Sequence, residues 1–237
     1  MTTPPHDSAL TALGPRELAA RIQHTRIAVG TTRDQMLAHL NEALEHGFDA
    51  AMVAGSWVPL AAEVLAGTGV TVASALDFPT VGVMTSAGKA AEAAELVRLG
   101  AREIDMGVQV GWLKSGDHDG FREDIAGVVR AAGVPIKVML ELPLLTDDEK
   151  AAAVELSCEA GAAYLKNASS GAIETANPAS IRYLVERAPE GVLVKASGGI
   201  TTRAQVIDLL AAGAAKVGTS AGVAIIADAS DDTTTSY

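Results

Sequence analysis

Four charged residues interrupt short apolar runs of the sequence: Asp105, Lys137, Lys166 and Lys195. A run that is buried in a sheet has little reason to hold a lysine, because unpaired buried lysines are very rare in proteins. A single lysine of this kind usually reaches solvent at the end of its strand or pairs with a neighbouring acid. Two lysines on successive runs, with a carboxylate nearby, favour catalytic chemistry instead.

Lys166 and Lys195 would lower each other's pKa if they lay a few ångströms apart, because two ammonium groups repel and burial disfavours both charges. A lysine that loses its proton becomes a neutral amine, which can attack a carbonyl carbon and form an imine. The second lysine, still charged, would supply the electrostatic perturbation. Asp105 would carry protons to and from the carbinolamine through a water molecule. The pattern therefore predicts covalent catalysis of the Schiff-base type.

Eight short apolar runs alternate with amphipathic segments along the chain. Segments such as residues 33–46, 85–99 and 119–132 carry apolar side chains near i, i+3, i+4 and i+7, the helical spacing. Several end at a glycine just before the next run, as at Gly47 and Gly133. Eight strand–helix units predict an α/β protein with a single closed (β/α)8 TIM barrel. The strands are expected to begin near Ile22, Ala50, Val70, Glu103, Ile136, Ala162, Val192 and Ala214.

An open, doubly wound sheet is the alternative fold, but no Gly-x-Gly-x-x-Gly motif follows the first strand to favour it. In a TIM barrel the active site lies at the carboxyl ends of the strands. Glycine-rich segments follow strand seven (Ser197–Gly199) and close strand eight (Gly218–Ser220). Backbone N–H groups in these two loops form the usual phosphate site of barrels. The alternative is that these glycines only satisfy tight turns.

The length of 237 residues is close to the roughly 250 of one TIM barrel. Residues 1–237 are therefore expected to form one domain, with an N-terminal extension over residues 1–16 and a flexible tail over residues 228–237. The net charge of −11 argues against nucleic acid or an anionic membrane surface as a partner. Without a long apolar run or a signal peptide, we expect a cytoplasmic protein. The single cysteine and the scattered histidines lack the spacing of metal sites, so we expect neither a metal nor a cofactor.

The chain resembles the deoxyribose-phosphate aldolase family of class I aldolases over nearly its whole length, from Arg21 to Gly222. The resemblance implies that Lys166 forms the imine, that Lys195 tunes it and that Asp105 relays protons, with Lys137 as a further charged member. Members often end in a flexible tail whose terminal tyrosine folds over the site, which implies a role in proton transfer for Tyr237. A homodimer or higher homo-oligomer is also implied. The matching segments are Val58–Ala61, Phe78–Pro79, Glu103–Met106, Tyr164–Ala168, Val194–Ile200 and Gly218–Ser220.

The residues expected around the substrate depart from the family pattern. Gln23 stands where the first strand usually has aspartate, and Met52 stands where cysteine usually follows strand two. Ser170-Gly171 replaces the usual phosphate-side pair, and a lysine that some members carry there is missing. The predicted catalytic residues therefore match the family, whereas several residues expected to contact the substrate differ from it. The predicted substrate-binding residues are Gln23, Thr25, Met52, Lys137, Ser170, Gly171, Gly198, Gly199, Gly218 and Ser220.

The leading functional hypothesis, implied by the resemblance, is an aldehyde-lyase that reversibly cleaves 2-deoxy-D-ribose 5-phosphate to glyceraldehyde 3-phosphate and acetaldehyde. The alternative is an aldolase of the same type with a different donor, such as a ketone, or a different acceptor. The changes at Gln23, Met52 and Gly171 motivate this alternative. A third hypothesis is a barrel that has lost catalysis and acts as a binding protein. The joint presence of Lys166, Lys195 and Asp105 argues against it.

Overall fold

Eight parallel strands pair in chain order and close on themselves in a computed structural model that describes residues 8–231. The first strand pairs with the eighth through Gln23 and Gly218, so the (β/α)8 barrel is confirmed and the open sheet is wrong. Each strand begins within two residues of its predicted start. The strands are β1 (Ile22–Arg26), β2 (Ala50–Val53), β3 (Thr71–Leu76), β4 (Glu103–Gly107), β5 (Ile136–Met139), β6 (Tyr164–Lys166), β7 (Leu193–Ser197) and β8 (Lys216–Thr219).

A helix follows every strand, and the longest connection, of eleven residues, joins β6 to its helix. Further short helices precede β1 and follow β4. The long helices match the predicted segments closely, because capping residues mark their starts. Thr146 and Thr202, for example, each form a capping box at the start of a helix. The helices are α1 (Ser8–Thr11), α2 (Pro15–Ala19), α3 (Arg33–His46), α4 (Val58–Val64), α5 (Ser86–Leu99), α6 (Val110–Lys114), α7 (His118–Ala132), α8 (Asp147–Glu159), α9 (Pro178–Val185), α10 (Arg203–Ala211) and α11 (Gly222–Asp231).

Helices lie within the described parts of both segments that the sequence assigns to an extension and a tail. Helix α1 and the start of α2 lie within the assigned extension, and Arg203 donates hydrogen bonds to the carbonyl oxygens of Thr11 and Leu13. Helix α11 continues to Asp231, so residues 228–231 are helical and not part of a tail. The short helices escape prediction because a helix of four or five residues shows little periodicity. Tyr237 lies outside the described residues.

Two environments make up the buried part of the molecule. Between strands and helices lies a continuous aliphatic core, which includes Ala51 and Val53 of β2. The alternate residues Ala50 and Met52 point the other way, into the barrel, where they form a separate cluster with Ala73. The interior is therefore filled on the β2–β3 side by small apolar groups, which leaves room above them. Over residues 8–231, no helix is long and apolar enough to cross a membrane.

Candidate active site

A cavity of about 460 Å³ opens at the carboxyl ends of the strands. Its floor includes Asp105, Lys166 and Lys195, and its walls include Thr25 and Met52 together with the loops after β6, β7 and β8. The structure thus brings together most of the residues that the sequence singled out. The predicted residues that line this cavity are Thr25, Met52, Asp105, Lys166, Ser170, Gly171, Lys195, Gly198, Gly199, Gly218 and Ser220.

Asp105 joins the two predicted catalytic lysines through one oxygen atom. Its Oδ2 accepts hydrogen bonds from Lys166 Nζ at 2.8 Å and from Lys195 Nζ at 2.7 Å. Lys166 and Lys195 are register partners on neighbouring strands, so both side chains leave the sheet at the same height. All three residues are buried, but Lys166 keeps 6% of its surface exposed at the cavity, against 1% for Lys195. Lys166 is therefore the amine that a ligand in the cavity can approach more easily.

Burial and mutual repulsion set the protonation of this cluster. Burial alone would raise the pKa of Asp105, but the charges of Lys166, Lys195 and Lys137 outweigh it and hold that pKa well below its usual range. Burial is the largest effect on Lys195, and repulsion from Lys166 and Lys137 adds to it, against the attraction of Asp105. The pKa of Lys195 is thereby lowered to about 7. The carboxylate is ionised at neutral pH, while Lys195 can readily lose a proton.

A second layer of charged groups lies directly beneath the cavity floor. Lys137 Nζ is 2.6 Å from Glu103 Oε2 and 3.4 Å from Asp105 Oδ1. Gln23 accepts a hydrogen bond from Lys195 Nζ at 2.7 Å and donates from Nε2 to Glu103 at 2.7 Å and to Asp49 at 3.0 Å. Asp49 in turn pairs with Lys216 at the start of β8. The network therefore runs from the cavity to the amino-terminal end of the barrel.

Within the network of ion pairs beneath the cavity, lysines outnumber carboxylates by one. The network holds four lysines (Lys137, Lys166, Lys195 and Lys216) and three carboxylates (Asp49, Glu103 and Asp105). Four positive charges against three negative ones leave an excess that burial makes costly. Loss of one proton from a lysine balances the set, and the lowered pKa is that of Lys195 at the cavity floor. The geometry thus favours a neutral amine at the site.

Two predicted substrate-binding residues are corrected by the structure. Gln23 and Lys137 are fully buried and do not line the cavity. Each lies two residues before a cavity-lining residue of its strand, Thr25 on β1 and Met139 on β5. Period-two alternation places both side chains inside the barrel but one layer too deep to reach a ligand. They act on the site through Lys195 and Asp105.

The glycine-rich loops form the wall opposite the small apolar side chains. Gly198 has a φ of 109°, and a Cβ there would lie 2.2 Å from the carbonyl oxygen of Glu174. A Cβ at Gly218 would lie 3.0 Å from Lys195 Cε, so glycine keeps the space that the lysine needs. Within residues 8–231, Lys166 and Lys195 are the only lysine or arginine side chains on the cavity wall. Any anion bound by these loops would rely on backbone N–H and hydroxyl groups.

Several residues that support the site were not singled out from the sequence. Met139 Sδ lies 3.5 Å from Lys166 Nζ, and Phe78 contributes to the cavity wall. Asn167 bridges β6 and β7, since its amide donates to the carbonyl oxygen of Ser197 and accepts from the Ser197 N–H. Glu141 accepts a hydrogen bond from the Ser169 N–H at 2.9 Å. Asn167 comes directly after β6 and Glu141 two residues after β5, and a position at the carboxyl end of a strand was the signal that could have indicated them.

The loop that carries Phe78 is anchored by a buried ion cluster. Lys89 Nζ lies 3.0 Å from Asp77 and 2.8 Å from Asp124, and it donates to the carbonyl oxygen of Gly107 at 2.8 Å. Asp77 accepts three backbone N–H bonds from residues 82–84. A buried triad of this kind fixes the loop, because removal of one partner would leave an unpaired charge. Lys89 lies within an alanine-rich helix, and nothing in its sequence context marks it as buried.

Comparisons with known proteins agree with this geometry. No protein-family model matches the chain. The chain is 43% identical over 211 residues to the deoxyribose-phosphate aldolase of Methanothermobacter thermautotrophicus, covering 89% of this chain and 94% of that protein. It is 40% identical over 230 residues to the deoxyribose-phosphate aldolase of Rhodospirillum rubrum, covering 97% and 95%. Its fold is similar to the tetrameric deoxyribose phosphate aldolase of Aeropyrum pernix, with a TM-score of 0.86, 27% identity and coverage of 96% and 98%.

Proposed function

The chain belongs to the deoxyribose-phosphate aldolase family, and from this premise we propose that it reversibly cleaves 2-deoxy-D-ribose 5-phosphate to glyceraldehyde 3-phosphate and acetaldehyde. The observation that carries the proposal is the sharing of Asp105 Oδ2 between Lys166 and Lys195 at the cavity floor. This arrangement provides an accessible amine, a neighbouring ammonium group and a carboxylate for proton transfer. These are the groups that imine chemistry requires.

Lys166 is proposed to act as the nucleophile on the aldehyde carbon of the open-chain sugar. Its neutral amine adds to the carbonyl, and loss of water from the carbinolamine gives a protonated imine. The imine withdraws the electron pair of the adjacent carbon–carbon bond, so the bond between C2 and C3 breaks as the C3 hydroxyl loses its proton. Glyceraldehyde 3-phosphate leaves, and protonation of the enamine at C2 followed by hydrolysis releases acetaldehyde. The water lost on imine formation is thereby returned.

Asp105 and Lys195 are proposed to move and hold the protons of these steps. Asp105 stays ionised because three lysines face it, so it can accept the proton that the Lys166 nitrogen carries after the neutral amine has added to the carbonyl, and it can pass this proton to the hydroxyl of the carbinolamine that leaves as water. Lys195 contacts the same oxygen and stabilises the carboxylate when Lys166 becomes neutral. Tyr237 is proposed to assist proton transfer at the donor carbon. Deletion of Tyr237 should then slow the exchange of acetaldehyde protons with solvent, and an unchanged rate of exchange would contradict this role.

The rate of imine formation should rise with pH through a midpoint near 7, the value to which the pKa of Lys195 is lowered. Below this value Lys195 is charged and cannot take up a proton from its neighbour. Above it Lys195 is neutral and can take the proton of Lys166 through Asp105, so the neutral Lys166 amine becomes available and the rate levels off. Because the two lysines share Asp105, the midpoint belongs to the pair and not to one residue. The measurement is the rate of borohydride trapping at low acetaldehyde concentration across this pH range.

The control for this profile is the rate of the same trapping reaction on a surface lysine, Lys150, followed by peptide mass spectrometry. Lys150 is partly exposed on α8 and pairs with Asp147. Its trapping rate should follow a different pH profile, because Lys150 lies outside the lysine cluster around Asp105. A profile at the active site that follows the profile of Lys150 would contradict the proposed lysine pair.

Replacement of Gln23 should move this midpoint in a direction set by charge. Gln23→Glu adds a carboxylate beside Lys195, which favours the protonated lysine, so the midpoint should rise by about one pH unit. Gln23→Met removes the hydrogen-bond acceptor of Lys195 without adding charge, so the midpoint should fall. The two variants have similar volumes and serve as controls for each other. An identical profile in both would show that Gln23 does not act on the lysine pair.

A second candidate function is an aldolase of the same type whose acceptor lacks a phosphate or whose donor is a ketone. It is favoured by the absence, within the described residues, of any cationic side chain on the cavity wall other than Lys166 and Lys195. The test is borohydride trapping with acetaldehyde, acetone and dihydroxyacetone, followed by cleavage assays with deoxyribose and its 5-phosphate. Trapping with acetaldehyde and preference for the phosphate support the first function. Trapping only by ketones, or equal rates for both sugars, supports the second, and no adduct at all would contradict both.

Self-association is also proposed, because the similar structure from Aeropyrum pernix is described as tetrameric. Light scattering of the purified full chain would give its mass. A mass of one chain at micromolar concentration would contradict this part of the proposal.

A further inference from the structure

Three side chains capable of binding a metal converge on the outer side of β1, away from the catalytic cavity. His24 lies between Gln23 and Thr25, whose side chains point into the barrel, so its own side chain points outward toward helix α3. His39 and Glu42 lie three residues apart on α3 and therefore on the same helix face. Their arrangement is not a local sequence motif, which is why the spacing of the histidines did not indicate it.

The three residues are close enough to share one ion after small adjustments. His24 Nε2 and Glu42 Oε2 are 2.9 Å apart, and the rings of His24 and His39 have centroids 4.4 Å apart. One ligand atom from each residue lies within 4.8 Å of the others. Ligand atoms around a tetrahedral Zn²⁺ are separated by about 3.3 Å, since the bonds are about 2.0–2.2 Å long. The hydrogen-bonded pair of His24 and Glu42 lies slightly closer than this and would part a little as the ion replaces the shared proton, and His39 needs to approach by a rotation of its side chain.

Among the described residues, three of the four ring nitrogens of these buried histidines lack a hydrogen bond of ordinary geometry. His39 is fully buried, and both of its ring nitrogens belong to this set, although the backbone of Met52 lies nearby. His24 is 3% exposed, and its Nδ1 faces Gly222, where a Cβ would lie 2.8 Å away. Leaving a buried polar group unpaired is costly. An ion bound by His39 would use a nitrogen that lacks such a bond.

An access route to the cluster is present. A second cavity, of about 780 Å³, is lined by all three residues and also by Arg26, whose positive charge opposes a cation. Glu42 supplies the compensating negative charge, and its side chain is 38% exposed. Ser220 and Ala221 line both this cavity and the catalytic one, so the two lie back to back.

We propose that His24, His39 and Glu42 bind a divalent transition-metal ion of the Zn²⁺ class. Two imidazole nitrogens and one carboxylate oxygen are ligands that Zn²⁺ and Co²⁺ prefer, and three protein ligands leave a fourth position for water. The ion would tie α3 to β1 beside the catalytic cavity. The imine chemistry does not use it, so metal binding and aldolase activity can be tested separately.

The test is titration of the full chain, without an affinity tag, with Co²⁺ monitored by visible absorption, followed by displacement with Zn²⁺. We expect one ion per chain, and a rise of the thermal midpoint with Zn²⁺. His39→Leu keeps a side chain of similar volume in an apolar environment and should weaken binding by at least about tenfold. Glu42→Gln keeps a hydrogen bond to His24 and should also weaken metal binding. This variant tests the proposal if the chain with His39→Leu fails to fold.

His118→Asn is the matched control, because His118 begins α7 far from this cluster in the sequence and on another helix. It should leave the Co²⁺ spectrum and stoichiometry unchanged. Absence of uptake by the unaltered chain, or equal uptake by the chain with His39→Leu, would overturn the proposal.

Discussion

Replacement of Lys166 by methionine is expected to lower the rate of aldol cleavage by about 10⁴-fold or more while the barrel remains folded. Loss of a covalent nucleophile removes the imine step entirely, and nucleophile knockouts in other enzymes cost factors of about 10⁶. The fold should survive because the substitution removes the excess positive charge from a set of four lysines and three carboxylates. Stability should therefore be unchanged or slightly higher. The measurements are steady-state cleavage and denaturant unfolding.

Borohydride trapping decides whether Lys166 or its neighbour carries the imine. The unaltered chain should carry the acetaldehyde adduct on Lys166, and the variant should carry none at the site. Lys150→Met, a change of a partly exposed side chain on α8, controls for the loss of a lysine and should leave cleavage and trapping at the site unchanged. An adduct on Lys195 in the unaltered chain would show that Lys195 forms the imine and that Lys166 is the neighbouring lysine. Persistent cleavage in the variant would contradict imine catalysis through Lys166.

Asp105→Asn should have the largest combined effect on stability and activity. The amide cannot balance the three ammonium groups that face Asp105, so buried positive charges lose their shared partner. Removing one member of a buried ion pair costs about 3–5 kcal/mol, and we expect a loss of unfolding free energy in this range at neutral pH. The amide also cannot accept protons, so cleavage should fall by a further factor of about 10²–10⁴. Urea unfolding and cleavage assays measure the two effects.

A matched surface change separates the burial of Asp105 from its chemistry. Asp119→Asn breaks an ion pair with Arg122 on α7 in which the aspartate side chain is 87% exposed, and it should cost less than about 1 kcal/mol. Combining Asp105→Asn with Lys137→Met removes one of the unbalanced lysines and should restore part of the stability but none of the activity. A stability loss from Asp105→Asn no larger than that of Asp119→Asn would contradict the charge network.

The fold and the top layer of the site could be predicted because both follow from periodicity. Parallel strands place their carboxyl ends at one edge, so Asp105, Lys166 and Lys195 had to meet there. The depth of an inward-pointing side chain was not predictable, since alternation along a strand gives the direction of a side chain but not the layer of the barrel in which it lies. Gln23 and Lys137 were assigned to the substrate for this reason, although they lie below the floor.

Contacts made by buried residues of the outer helices and of the strand starts also could not be predicted from the sequence. Lys89, whose partners Asp77 and Asp124 lie before and after it, is buried by tertiary packing that its own helix does not reveal. Asp49 and Lys216 are far apart in the sequence and meet only because the barrel closes between its first and last strands. His39 is a similar case, because only the packing of α3 on β1 brings it to His24.

The carboxylates inside this barrel can change only together with their lysine partners. A carboxylate removed from one strand leaves lysines on other strands without their shared partner. Loss of a carboxylate alone therefore passes through less stable ancestors, whereas the joint change of a carboxylate and a lysine does not. Gln23 is the exception, because its uncharged amide hydrogen-bonds to Lys195 on one side and to Glu103 and Asp49 on the other. A substitution at Gln23 could therefore add a charge to the barrel interior, or later remove it, without first breaking an ion pair.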